Sequence, residues 1–257
     1  MTQRCADLFK TTHSNRARLL APTALAGALL LRNVAFAGAQ ATVSADVMLE
    51  QAATAMAELD SFSFELTTLE GETVFLEEIT LKNVSGAVLR PNTFTAAAEF
   101  DLIIATLDLT IISANGKLWF TDPFGDGDTY QEIDLGDMGE FDPTVVINPD
   151  RLLIPALSIV QSATIAGTEQ LEDGTETTRI DGTVNLADVV SSSGTPTPDE
   201  LGFTFPEEVP FSVWIDDDSL VHRIEVTGPI LPGEADSIVR RVDLFGFNEP
   251  VDIQLPN

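Results

Sequence analysis

The sequence predicts an α+β chain built on one curved antiparallel sheet, and three observations carry that reading. From Ser61 onward, apolar and polar residues alternate with a period of two in one segment after another. The segments are joined by short links rich in Gly, Asn and Asp, so adjacent strands run antiparallel. Two other stretches carry apolar residues at helical spacing instead. About eleven strands in a single antiparallel sheet curl rather than stay flat.

The first element is a helix over about 44–59. Ser44 can accept the free N–H groups of its first turn, and Asp46 and Glu50 sit where the helix dipole favours acids. Val47, Ala52, Met56 and Leu59 form its apolar side. The period then becomes two: Phe62, Phe64 and Leu66 alternate with Ser61, Ser63, Glu65 and Thr67. Further strands are expected at 73–81, 84–90, 93–104, 106–113 and 117–121. They resume at 163–170, 176–185, 211–216, 220–228, 238–247 and 250–255. Glu70-Gly71, Asn115-Gly116, Asp173-Gly174 and Asp216-Asp217-Asp218-Ser219 supply the turns.

Two segments interrupt the sheet. Residues 142–161 read as a helical insert with Asn148 or Asp150 near its start. Leu152, Leu153, Leu157 and Val160 lie along one stripe of it, which is expected to form a wall against the sheet. Residues 186–210 open on a short helical pattern, Leu186-Ala187-Asp188-Val189-Val190, and continue as a Ser/Pro/Gly connection.

The chain has 257 residues, 13 Lys+Arg and 41 Asp+Glu, for a formal net charge of −28. Five of the basic residues and one of the acids lie in residues 1–37, so 8 and 40 remain after them, a net −32. The leader has a basic start, an apolar run over 19–31 and two small-residue cleavage sites, Ala35-Phe36-Ala37 and Ala39-Gln40-Ala41. That layout predicts a secretory signal peptide over 1–37 and one exported domain over 38–257. The apolar run is too short to span a bilayer. A body this acidic repels nucleic acid and anionic headgroups, while 44% hydrophobic residues suffice for a core.

The single cysteine, Cys5, lies in the leader, and His222 is the one histidine beyond it. This removes disulfides, thiol nucleophiles and most imidazole chemistry from the body. His222 shares strand parity with Leu220, Ile224 and Val226 and is expected to be packed rather than catalytic. Glycine-rich phosphate loops and nucleophile elbows are absent from the sequence. The acidic stretches 122–128 and 216–218 do not have Ca²⁺-loop spacing and are expected to be solvated turns. No catalytic residue, metal site or cofactor is predicted. On the residues alone, a sheet interior filled by side chains is the commoner outcome.

Several segments together resemble the LppX/LprG-type lipoproteins of the actinobacterial envelope. They are Leu59-Asp60-Ser61-Phe62-Ser63-Phe64 after an Ala-rich helix, and Gly116-Lys117-Leu118-Trp119-Phe120 leading to Tyr130 and Asn148-Pro149. Gly167-Thr168-Glu169 with Asp173-Gly174 and the run 177–184, Val213-Trp214-Ile215-Asp216 with 220–224, and the closing run 242–251 complete the set. These segments keep the family's order over about 44–257. The resemblance implies a half-barrel with helices on its concave side, similar to LolA/LolB-type carriers, and an apolar cavity holding the acyl chains of a lipid or glycolipid. It implies carriage without catalysis, transient contact with a membrane and a monomer. The residues it would place around the cavity are Phe64, Leu66, Leu102, Ile104 and Leu109 in the first half of the sheet. Val213 and Ile215 come from the second half, and Leu152, Leu153, Leu157 and Val160 from the insert. One departure from the family pattern is plain: Val34-Ala35-Phe36-Ala37-Gly38 stands where a lipobox cysteine would be. The expected product is exported to the cell envelope or beyond without an N-terminal lipid. The alternative reading is a non-catalytic envelope interaction domain with a filled core.

Overall fold

In the computed structural model, residues 43–256 are described apart from 77–78, 103–104, 123–128, 136–147, 193–205 and 231–233. The predicted leader therefore lies outside the described residues, as does Ile104.

Ser44 caps helix α1 (Ala45–Ala57), its Oγ accepting from the Val47 N–H at 3.4 Å. Twelve strands follow among the described residues: β1 (Ser61–Glu70), β2 (Thr73–Leu76), β3 (Ile79–Leu89), β4 (Thr93–Leu102), β5 (Thr106–Ala114), β6 (Lys117–Thr121), β7 (Tyr130–Asp134), β8 (Gln161–Gln170), β9 (Glu176–Val184), β10 (Val209–Ile215), β11 (Val221–Thr227) and β12 (Val239–Phe245). Helix α2 (Pro149–Ser158) falls between β7 and β8, and α3 (Leu186–Ser192) between β9 and β10. The strands form one antiparallel sheet in the order β7-β6-β5-β4-β3-β1-β12-β11-β10-β9-β8, with β2 paired to β3. Two meanders thus meet at the β1–β12 ladder, and β7 and β8 are the outer edges of an open sheet. Helix α2 links one edge to the other.

Three strand assignments change. The segment 73–81 is a hairpin, not one strand: Leu76 pairs with Ile79, and β3 continues past an irregularity at Lys82 to Leu89. Strand β7 has an alternation too short to stand out, and its partner β6 defines it. Residues 250–255 are not a strand. Strand β12 is already paired on both sides by β1 and β11, so the tail cannot extend the sheet beside it. It packs Ile253 instead against Ile112, Ala114 and Trp119. In the insert, α2 starts at Pro149, with Asn148 Oδ1 accepting from the Asp150 N–H at 3.0 Å, and residues 142–147 lie outside the described residues.

Arg90 ties three elements together. Its guanidinium donates from Nε to both oxygens of Asp150, at 3.2 and 3.1 Å, in the first turn of α2. It donates from Nη1 to the carbonyls of Met56 and Leu59 at 2.5 Å, satisfying the C-terminal end of α1, and lies 5.7 Å from the Phe62 ring centroid. A close approach fixes another position. A Cβ on Gly86 would fall 2.2 Å from the Thr95 carbonyl oxygen and 2.8 Å from Phe64 Cζ. Gly86→Ala is expected to cost about 1–3 kcal/mol by overpacking, read as a lower urea midpoint. An unchanged midpoint would contradict this contact.

Candidate functional site

Register converts the period-two pattern into rows across the concave face, because directly paired residues in an antiparallel ladder share a face. One row runs Phe62, Val88, Phe94, Ser113, Leu118, Ile133. The next runs Leu244, Phe64, Gly86, Ala96, Ile111, Phe120. Helices α1 and α2 pack on these two rows: Leu49, Ala52, Met56, Leu153 and Leu157 join Phe62, Phe64 and Phe94 in one buried cluster.

A third row is the longest. Ile165, Ile180, Val213, Ile224, Val242, Leu66, Val84, Ala98 and Leu109 pair in succession across nine strands, from β8 to β5. Every member is apolar. Ile180 and Val213 are fully buried, whereas Val242, Leu66, Val84 and Leu109 are only half-buried. Beyond it, Leu81, Phe100 and Leu107 pair in turn, and Ile79 pairs with Leu102, all half-buried. Among the described residues, the concave face is therefore filled beneath the helices and left half-buried in a band around Leu66.

The predicted site residues divide along that boundary. Phe64, Leu153, Leu157, Val213 and Ile215 lie in the packed core, Leu157 and Ile215 at 1% exposure. Leu109, Leu152 and Val160 are half-buried against that core, while Leu66 is half-buried midway along β1 and Leu102 at the far end of β4. The stripe of α2 is thus split: Leu153 and Leu157 face packed side chains. Leu157→Trp is accordingly expected to cost about 1–3 kcal/mol, seen as a fall in melting temperature, and a full-stability variant would reveal empty space there. Open volume of about 810 Å³ lies beside this stripe, between α1 and α2, lined by Leu49, Ala53, Ile154 and Val160. Leu157 borders it but at 1% exposure opens almost none of its own surface to it, and Asp46, Glu50 and Glu58 also face it. Val84 was not legible as a site residue, because only its pairing with Leu66 places it in the band.

Charge is sorted by face. The strand acids Glu65, Glu99, Asp101, Asp108, Glu132, Asp181, Glu225 and Asp243 all occupy convex positions by the same register. Ion pairs cover that side. Arg223 holds Asp243 and Glu172 at 2.6 Å each, Arg241 holds Glu225 at 2.7 Å, and Arg179 holds Asp181 at 2.7 Å beneath the Trp214 ring. The hydrogen bond from Arg223 keeps the Glu172 carboxyl below the ordinary range. That contribution is present above the ordinary carboxylate pKa and is lost as pH falls through the depressed one.

Among the described residues, Arg240 is the one charged side chain within the concave rows. Glu176 shares its parity but is exposed at the end of β9. Arg240 is 6% exposed and paired with Glu234, and its Nε donates to Thr73 Oγ1 at 3.0 Å.

His222 occupies an irregularity between β10 and β11, so Val221, fully buried, takes the inward position expected for its neighbours Leu220 and His222. The imidazole Nε2 lies 2.8 Å from Asp216 Oδ2, and its ring meets Phe247 edge-on at 5.1 Å. Asp216 Oδ1 accepts from the N–H groups of Asp218 and Leu220, so this acidic turn is internally bonded. Most of the other acidic stretch, 123–128, lies outside the described residues. Among the described residues, no cluster of His, Cys, Asp or Glu is placed to hold a metal, and no helix is long and apolar enough to cross a membrane.

The architecture recurs in known proteins. The family described as LppX_LprAFG lipoprotein matches residues 44–253. The crystal structure of LprF from Mycobacterium bovis is similar with a TM-score of 0.57 and 19% identity, over 82% of this chain and 96% of that one. Lipoprotein LppX from Mycobacterium tuberculosis gives a TM-score of 0.53 and 17% identity, over 82% of this chain and 98% of that one. At these identities the likeness concerns the fold. A LolA superfamily protein from Nitrosomonas europaea aligns at 10% identity over 79% of this chain and 91% of that one, with a TM-score of only 0.25. No curated protein matches the chain.

Proposed function

The chain belongs to the LppX_LprAFG lipoprotein family, and from that premise we propose that it is an exported, non-enzymatic lipid carrier whose cargo lays its acyl chains along the uncovered apolar band of the concave face. The observation that carries this reading is the nine-strand apolar row, half-buried at Val242, Leu66, Val84 and Leu109. Its half-buried stretch, from Val242 to Leu109, crosses four strand spacings of about 4.8 Å, or about 19 Å. One leaflet of bilayer hydrocarbon is about 15 Å thick, so an extended acyl chain fits along it. Each buried methylene contributes about 0.8 kcal/mol, so a sixteen-carbon chain gains on the order of 10 kcal/mol gross. Such a band needs no polar motif, and the reading assigns no catalytic residue.

The test is native mass spectrometry of the protein purified from its own host. Mass increments that organic solvent removes, together with binding of a fluorescent acyl probe by the stripped protein, are the expected result. A solvent-stripped, folded protein that takes up no acyl probe would sink the proposal. Leader removal belongs to the same reading. N-terminal sequencing of exported protein is expected to start at Gly38 or Thr42, without a fatty-acyl mass, and a start at Met1 would overturn it.

The second reading, an envelope interaction domain, draws on the filled interface beneath α1 and α2. It differs from the first in expecting no removable mass.

A further inference from the structure

We infer that the cargo carries an uncharged headgroup and that lipids with anionic headgroups are rejected; this rests on the lipid-carrier reading above and sharpens it. The first ground is the fate of the cations. Eight Lys and Arg follow residue 37, against 40 acids. Seven are held in ion pairs: Lys82 with Asp101, Arg90 with Asp150, Lys117 with Glu132, Arg179 with Asp181, Arg223 with Asp243, Arg240 with Glu234 and Arg241 with Glu225. The eighth, Arg151, is also engaged.

The second ground is where the concave cation stands. Arg240 is next to the apolar row, paired with Val226 on β11 and Thr68 on β1. It is the group that could receive a phosphate or carboxylate there, and it is already neutralised. Glu234, whose side chain has 0% exposure, takes its charge, while Thr73 Oγ1 and the Gly228 carbonyl take further N–H groups at 3.0 and 3.4 Å. The other Glu234 oxygen accepts from the Ile230 N–H at 2.8 Å, which fixes the carboxylate against the guanidinium. An anionic headgroup brought to this face meets no spare donor charge and the repulsive field of a body at net −32. A hydroxyl or glycosyl headgroup pays neither penalty.

The experiment compares acyl-matched fluorescent diacylglycerol and phosphatidylglycerol on the solvent-stripped protein, at about 10 mM and about 0.5 M salt. The neutral probe is expected to bind at least about 10-fold tighter at low salt, from a surface potential of several kT. The preference should shrink at high salt through the anionic probe alone, as the Debye length falls from about 30 Å to a few Å. Equal affinities at low salt would overturn the inference while leaving the carrier reading intact; failure of both probes would remove the carrier reading and this inference with it. Glu234→Gln should shift selectivity toward phosphatidylglycerol by releasing Arg240, and Leu102→Lys, which leaves that pair intact, should do the same by adding a cation at the far end of the band. A folded form of either variant with unchanged selectivity would also count against the inference.

Discussion

Arg90→Met is expected to lower stability by about 3 kcal/mol, the lower end of the range for removing one partner of a buried ion pair, since this pair is part-buried. The substitution keeps much of the aliphatic stem but strands the Asp150 carboxylate, whose side chain is only 15% exposed. It also removes the donor that serves the Met56 and Leu59 carbonyls at the end of α1. Both helices that cover the Phe62 and Phe64 rows lose their shared anchor at once. Against a domain stability of about 5–15 kcal/mol, such a loss is large. Chemical denaturation should show a strongly reduced midpoint, whereas Lys82→Met, which breaks the exposed pair with Asp101, should leave the midpoint nearly unchanged. Equal effects for the two variants would refute the role given to Arg90.

Leu66→Glu is expected to abolish acyl binding with little damage to the fold. Leu66 lies in the half-buried stretch of the long apolar row, between Val242 and Val84. Removing its apolar contact with a chain forfeits about 1.5–3 kcal/mol, and a carboxylate beside the chain adds a further desolvation cost of similar size or more. Together these predict a loss of at least about 30-fold in acyl-probe affinity. In the free protein the new carboxylate can reach water, so the melting temperature should fall far less than in Arg90→Met. The measurement is probe titration with a parallel thermal scan. Intact affinity in a folded Leu66→Glu protein would move the cargo away from this band.

Much of the fold was legible because its signals are local. The alternation of Phe62, Phe64 and Leu66 with Ser61, Ser63 and Glu65 is a property of consecutive residues, and it sorts the strand acids to one face before any strand is paired. Ser44 and Asn148 likewise mark helix starts through hydrogen bonds to residues two or three positions on. The site was less legible. Phe64 and Leu66 have the same chemistry and the same parity, and nothing in the chain separates them.

By itself, then, the sequence determined an acidic body, a curling antiparallel sheet and which neighbouring side chains share a face of a strand, since period and composition act over a few residues. Only the tertiary structure decided that α1 and α2 fill the Phe62 and Phe64 rows and leave the Leu66 row half-buried. It decided too that irregularities at Lys82 and His222 shift the inward parity, and that Arg90 joins residues as far apart as Met56 and Asp150. Coverage, register and ion pairing are set by contacts between residues far apart in the chain, and a local hydrophobic pattern is the same whether another element lies over it or not.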